Sequence, residues 1–273
     1  MKAYAKAAFL AIAVVALVAC GGDKKGSGDG GGKAPAPTAS GGDGGGGAVG
    51  SQASGAAAHA GSLSGTVKLG AEAPAQVPLN VSSDAFCAGE WEGKTIFDPA
   101  FAVNEDGTVP NVFIYAQKGP HEGFTGYKAP AGFAVNQKAC EYIPHVFGVM
   151  EGQEFVVTND DGTTHNVNVK PKRNTPANKA QAAGAKDTFV FGKKEAKIPF
   201  TCDVHSWMSA WAFCLEHPFF ATTDATGKFE IQGLPDGKYT FRAWHETFAT
   251  KYVDFDVEIK GGAVTQEVTL PGN

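Results

Sequence analysis

The chain of 273 residues has no Cys-x-x-Cys-His run, no long apolar segment of helical period and no internal repeat. The first absence excludes covalent c-type haem attachment. The second argues against a helical bundle, and the third against a solenoid or propeller array. Positive charge is also scarce: 23 Lys and Arg against 28 Asp and Glu give a net charge of -5. Phosphate neutralisation needs a basic face, so nucleic acid is not an expected partner. The longest apolar run, about 13 residues ending at Ala19, is too short to cross a bilayer as a helix.

That run has a different use. Lys2 and Lys6 precede the apolar stretch from Ala7 to Ala16, a pattern that predicts an export signal over residues 1–19. Leu17-Val18-Ala19-Cys20 resembles a bacterial lipobox. The resemblance implies that Cys20 is lipidated, which would anchor the chain to a membrane of the bacterial cell envelope, facing the periplasm or the cell surface. Each buried CH2 of such an anchor contributes about 0.8 kcal/mol. Residues 20–61 then form a linker. Gly supplies sixteen of the 41 positions from Gly21 to Gly61, and such a composition cannot bury enough apolar surface to order itself. A coil of this kind spans roughly 35 Å. His59 falls within it and carries no assigned role.

From Leu63 onward the pattern predicts strands. Short β-type runs occur at Gly65–Leu69, Asn111–Tyr115, Glu154–Val157, Asn166–Val169, Phe189–Phe191, Phe229–Ile231, Tyr239–Phe241 and Tyr252–Ile259. Turn residues such as Gly107, Gly162, Gly227 and Pro235-Asp236-Gly237 separate them. The expected class is all-β, built as sandwiches with little helix.

The most chemically specific stretch is Cys202-Asp203-Val204-His205-Ser206-Trp207-Met208. It places a thiol, an imidazole and a thioether three residues apart. Thiolate and imidazole bind borderline-soft metals strongly, and a thioether suits copper better than zinc. A second imidazole is available at His165, which follows the run Val156-Val157-Thr158-Asn159-Asp160-Asp161-Gly162-Thr163-Thr164. From Tyr142 to Met208 the chain resembles a cupredoxin: Pro144, Val149 and Gly152, Asn159 and Asp160, His165-Asn166, and a Cys-x-x-His-x-x-Met loop of the length found in amicyanins. The resemblance implies a Greek-key sandwich holding one type 1 copper ion. His165, Cys202, His205 and Met208 would be its ligands, with Asn166 tying the two ligand-bearing loops together. One departure stands out: the family's Gly-x-Tyr-x-Tyr run before the Cys is replaced by Ala196-Lys197-Ile198-Pro199-Phe200-Thr201.

A second resemblance covers His217 to Leu270. Thr222 to Phe229, with its Asp-x-x-Gly-x-Phe spacing, and Leu234-Pro235-Asp236-Gly237-Lys238-Tyr239 are similar to carboxypeptidase regulatory-like (transthyretin-like) sandwiches. The opening Gly-x-Val strand of that family corresponds to Gly65–Leu69, far upstream. The expected arrangement is a sandwich from residues 62–130 plus 214–273, with the cupredoxin-like segment 131–213 inserted into it or packed on it. Val67 should then pair into the same sheet as a hairpin formed by 229–241.

The remaining Cys and His residues are sorted by surroundings. In an oxidising compartment Cys87 and Cys140 are the natural disulfide pair, contributing about 2–4 kcal/mol, and Cys214 is left as a buried thiol. The rival pairing, Cys202 with Cys214, would destroy the metal site. His145, in Pro144-His145-Val146, is either an additional ligand or a supporting side chain; His217 and His245 cap or pack the second sandwich, and His121 is expected in solvent. Lys170, Lys172, Arg173, Lys179 and Lys186 form either a solvated face or a surface steering an acidic redox partner. Trp207 and Trp211 either rim the metal site or close the core. The sequence has no His-x-His pair for a trinuclear copper centre and no second Cys in the ligand loop for a binuclear one. The expected role is therefore single-electron transfer to redox partner proteins of the envelope, without enzyme activity. A non-catalytic binding or adhesion module and a copper-capture protein are the alternatives.

Overall fold

The computed structural model describes residues 59–122, 127–129 and 131–272. The expected signal at 1–19, the lipidation at Cys20 and nearly all of the 20–61 linker lie outside them. The described part belongs to the compact unit Gly41–Asn273. Its strands, in chain order, are β1 (Gly61–Leu69), β2 (Phe113–Lys118), β3 (Phe133–Lys138), β4 (Glu141–Ile143), β5 (Val146–Met150), β6 (Glu154–Asn159), β7 (His165–Val169) and β8 (Ala177–Gln181). They continue with β9 (Lys186–Val190), β10 (Glu195–Thr201), β11 (Ser209–Leu215), β12 (Phe220–Thr222), β13 (Lys228–Leu234), β14 (Gly237–His245), β15 (Ala249–Ile259) and β16 (Ala263–Leu270). Helix among the described residues is confined to α1 (Ala85–Glu90) and one 3-10 turn (Pro99–Phe101).

The strands form two sandwiches. One pairs the sheet β13-β1-β16 with the sheet β12-β2-β14-β15; the other pairs β5-β11-β10-β7-β8 with β4-β3-β6-β9. All nine strands of the second lie, in sequence, between β2 and β12 of the first. β1 runs antiparallel to β13, with Gly65 opposite Phe229, and parallel to β16, with Val67 opposite Val268. The segment 229–241 is not one hairpin, however. Pro235-Asp236 carries the chain from β13 in one sheet to β14 in the facing sheet.

Residue period decides which core each side chain enters. Along β13 exposed Lys228 and Glu230 alternate with buried Phe229 and Ile231, as one covered face requires. β2 is buried on both faces and serves two cores. Ile114 and Ala116 point into the first sandwich with Leu63, Val67 and Phe241, whereas Phe113 and Tyr115 point the other way. β11 is its counterpart in the second sandwich. Ala210, Ala212 and Cys214 join Phe147, Phe155 and Phe200 in that core, while Phe213 and Leu215 meet Phe113, Phe220 and Trp244. The two sandwiches therefore touch sheet to sheet through an aromatic layer, in which Phe113 and Phe213 stack with ring centroids 4.1 Å apart. Gly148 in β5 permits this approach: a Cβ there would lie 2.5 Å from the Phe220 ring and 2.8 Å from that of Phe113.

One segment changes sides. Residues 79–98, grouped by sequence with the first sandwich, pack Val81, Cys87 and Ile96 into the core of the second. Asp84 starts α1 by accepting hydrogen bonds from the Phe86 and Cys87 amides at 2.8 and 3.0 Å, an N-cap that satisfies two otherwise free donors. A disulfide joins Cys87 to Cys140 in the β3–β4 turn, fastening this segment to the sandwich. Cys202 and Cys214 are free thiols, so the rival pairing does not occur.

Candidate metal centre

β6 and β7 lie in different sheets. The turn after Asn159 carries the chain across one end of the sandwich, so His165, the first residue of β7, enters the interior with 0% exposure. The loop joining β10 to β11 closes from the other side. Its ends are tied by Cys202 N–H donating to Met208 O at 3.1 Å and Met208 N–H donating to His205 O at 3.0 Å. Cys202, His205 and Met208 are all buried.

Three predicted ligands converge. The Nδ1 atoms of His165 and His205 face each other at 2.8 Å, with Cys202 Sγ 3.8 Å from His205 Nδ1. Ligand atoms of these three residues lie within 4.8 Å of one another. Met208 is buried in the same core as Cys202, beside partly buried Trp207. The opposite edge of each ring explains the orientation. His165 Nε2 donates to Asp161 Oδ2 at 2.8 Å, and His205 Nε2 lies 3.3 Å from Asp84 Oδ2. A carboxylate at Nε2 fixes the proton there and leaves the Nδ1 lone pair for the site.

Asn166 links the two ligand segments. Its Oδ1 accepts from the Asp203 amide at 2.5 Å and from the Val204 amide at 3.4 Å, while its own amide points at Cys202 Sγ from 3.5 Å. Its Nδ2 donates to Asn178 Oδ1 and Asp203 Oδ2. Tyr142 adds a second tie, its hydroxyl donating to Asn166 O at 2.9 Å on one segment and to Thr201 O at 3.2 Å on the other.

Charge follows this geometry. Burial works against a charged His165, yet the Asp161 hydrogen bond and the Cys202 sulfur outweigh it and raise the imidazole to about 9. Burial likewise opposes ionisation of Cys202; hydrogen bonds from His165 and from the loop amides prevail and hold the thiol below its ordinary value. The two shifts have one common cause, the contact between the His165 imidazole and the Cys202 sulfur, which favours the charged form of each. Asp161→Asn is accordingly expected to move the His165 titration to lower pH in an NMR titration of metal-free protein. An unchanged titration would mean that Asp161 is not what holds the proton.

Of the other expectations, some hold and some are corrected. His145 is not at the centre. Its Nδ1 donates to Ser209 O at 3.0 Å and its Nε2 is paired with Glu246, which also accepts from Trp211 Nε1 at 2.6 Å. Burial disfavours the charged form of His145, but Glu246 overcomes this and raises its pKa. The pair bridges the two sandwiches, and Trp211 belongs to that bridge rather than to the rim of the centre. Trp207 does flank the centre, its ring 5.0 Å from that of His205. His121, expected in solvent, is buried against His217 at a ring distance of 4.3 Å. Cys214 is buried and its thiol is pushed up to about 12, chiefly by desolvation. Sequence reading missed Asp161 and Asp84. Asp161, four residues before His165, had a local signal; Asp84 arrives through a loop with none.

Residues 189–267 match the family described as Polysaccharide lyase family 4, domain II, a match running from β9 through β15 into β16. No curated protein matches the chain. Among solved structures it is similar to the Cu-containing nitrite reductase of Thermus scotoductus SA-01, with 16% identity over 34% of this chain and 24% of that one, at a TM-score of 0.30. It is also similar to a purple cupredoxin from Nitrosopumilus maritimus, with 18% identity over 30% and 99% of the two chains and a TM-score of 0.27. A reduced Cu(I) form of an amicyanin variant gives 16% identity over 32% and 85%, with a TM-score of 0.29. This chain spans about a quarter of the nitrite reductase's length. Fold and site define an all-β protein with a buried cluster of two imidazole nitrogens and one thiol.

Proposed function

We propose that this chain is a copper protein that carries single electrons. The observation that carries the reading is the convergence of His165 Nδ1, His205 Nδ1 and Cys202 Sγ in a buried pocket, each ring backed by a carboxylate at Nε2. The donor set fits copper. Two nitrogens 2.8 Å apart share one proton that an ion can replace, and a thiolate with a nearby thioether selects a soft metal. His165, Cys202 and His205 would hold the ion, with Met208 as the fourth donor we assign. Copper so bound supplies a one-electron couple. The protein's part is to exclude water, to fix both imidazoles by their carboxylates, and to keep the sulfur ionised through Asn166 and the loop amides. At 0–3% exposure the donors offer no face to a bulky substrate, whereas an electron needs only proximity; we assign no enzyme activity.

We further propose that the chain works in a bacterial cell envelope, tethered through lipidated Cys20. The lysine-led apolar leader and the lipobox-like run support this, and so does the Cys87–Cys140 bridge, since disulfides persist outside the reducing cytoplasm. Its partners would be redox proteins, steered by the exposed Lys170, Lys172, Arg173 and Lys186.

Titration of purified protein with copper(II) tests the proposal. One equivalent should bind, give an intense visible thiolate-to-copper band, and be reduced and reoxidised reversibly. Because a proton must leave His165, affinity should rise with pH up to about 9. Tight but colourless binding confined to Cu(I) would support copper capture instead, and absence of copper binding would leave the binding-module reading.

A further inference from the structure

The Cys87–Cys140 disulfide forms one wall of the metal centre. Cys87 Sγ lies 3.9 Å from His205 Nε2, the nitrogen that also faces Asp84. On the other side, the Cys140 amide donates to Asp161 Oδ2 at 2.8 Å, the oxygen that holds His165 Nε2. Two further groups of donors result: Asp84, Cys87 and His205, and Cys140, Asp161 and His165, each with ligand atoms within 4.8 Å of one another. Both half-cystines are fully buried. Their positions do not rest on the covalent bond alone. The Cys87 amide is held by Asp84, Trp91 Nε1 donates to Ala139 O at 2.8 Å, Trp207 Nε1 donates to Cys140 O at 3.1 Å, and Thr163 Oγ1 donates to Asp84 Oδ2 at 3.1 Å. These contacts would keep the two sulfurs facing each other after the bond between them is broken.

We propose that reduction of this disulfide opens a second site for a thiophilic metal ion, beside the first and separate from it. An external dithiol or a phosphine supplies two electrons, the S–S bond breaks, and two protons are taken up to give two thiols. The dithiol leaves as its own disulfide, or the phosphine as its oxide with an oxygen from water. An ion such as Cu(I) or Ag(I) then displaces both protons and is held between the Cys87 and Cys140 thiolates. Two thiolates select such an ion over hard cations. The Nε2 protons of His165 and His205 stay in place, so both Nδ1 atoms remain directed at the first site. The inference does not require copper at Cys202. It gives the chain a capacity that rises when its surroundings turn reducing.

The test counts tightly bound Ag(I) by equilibrium dialysis on the full chain, before and after phosphine reduction under anaerobic conditions. The count should rise by one equivalent, in the wild type and equally in Cys202→Ser, whereas Cys87→Ser should show no rise. Cys214 and Cys20 are not part of the bridge, so they cancel in the difference. A companion measurement needs no variant: in the reduced wild type, Ag(I) should protect Cys87 and Cys140 together from alkylation, read by peptide mass mapping. The proposal is overturned if two new thiols form without a rise in Ag(I), if the rise persists in Cys87→Ser, or if both cysteines alkylate equally fast with and without Ag(I). A rise in Cys202→Ser without visible copper colour in the wild type would uphold this site while refuting the electron-carrier reading.

Discussion

Cys202→Ser is expected to abolish the visible thiolate-to-copper band and to weaken copper binding by more than about 100-fold, beyond the 10–100-fold typical of losing an outer hydrogen-bond partner. The hydroxyl is close to the thiol in size and can accept the same hydrogen bond from the Asn166 amide, so the fold should persist. It cannot become an anion at neutral pH, however, and it lacks the polarisable sulfur orbital from which the band arises. Absorption spectroscopy of copper-loaded wild type and variant, with circular dichroism as a control on folding, separates the two effects. A band surviving in the folded variant would place the chromophore elsewhere and remove Cys202 from the site.

Phe213→Ala is expected to cost about 3–5 kcal/mol, the range for deleting a buried aromatic ring from a packed core. Phe213 has 0% exposure. It stacks on Phe113 at 4.1 Å and meets Trp244 at 5.2 Å, so it fills the layer between the two sandwiches. Domains of ordinary stability have about 5–15 kcal/mol in total, and the variant should lose a large part of it. Guanidinium unfolding, followed by tryptophan fluorescence and by the copper band, measures the loss. A cost below about 1 kcal/mol would show that the sandwiches are coupled by little more than their shared chain.

Much of this architecture was legible along the chain. The alternation at Phe229 and Ile231, the turn at Gly227 and the Gly-rich boundary before Gly61 announce strands and their start. Two of the strands missed have an ambiguous pattern. β11 is buried on both faces and shows no period of two, while β8, Ala-Asn-Lys-Ala-Gln, has poor strand propensity and forms because β7 offers a ladder, with His165 opposite Gln181. His145 was ambiguous for a related reason. Nothing in Pro144-His145-Val146 reveals that Glu246, about a hundred residues later, will neutralise it.

The candidate site divides along the same line. The Cys202, His205 and Met208 spacing is fixed by the order of residues in one short loop, so the sequence alone determined that a thiol, an imidazole and a thioether would lie near one another. Whether a second imidazole joins them depends on β7 and β10 pairing in one sheet, which no local pattern encodes. The carboxylate behind His205 and the place of the disulfide at the wall were decided by tertiary packing, because Asp84 and Cys87 reach the site only when the 79–98 segment buries Val81 and Ile96 in the second core.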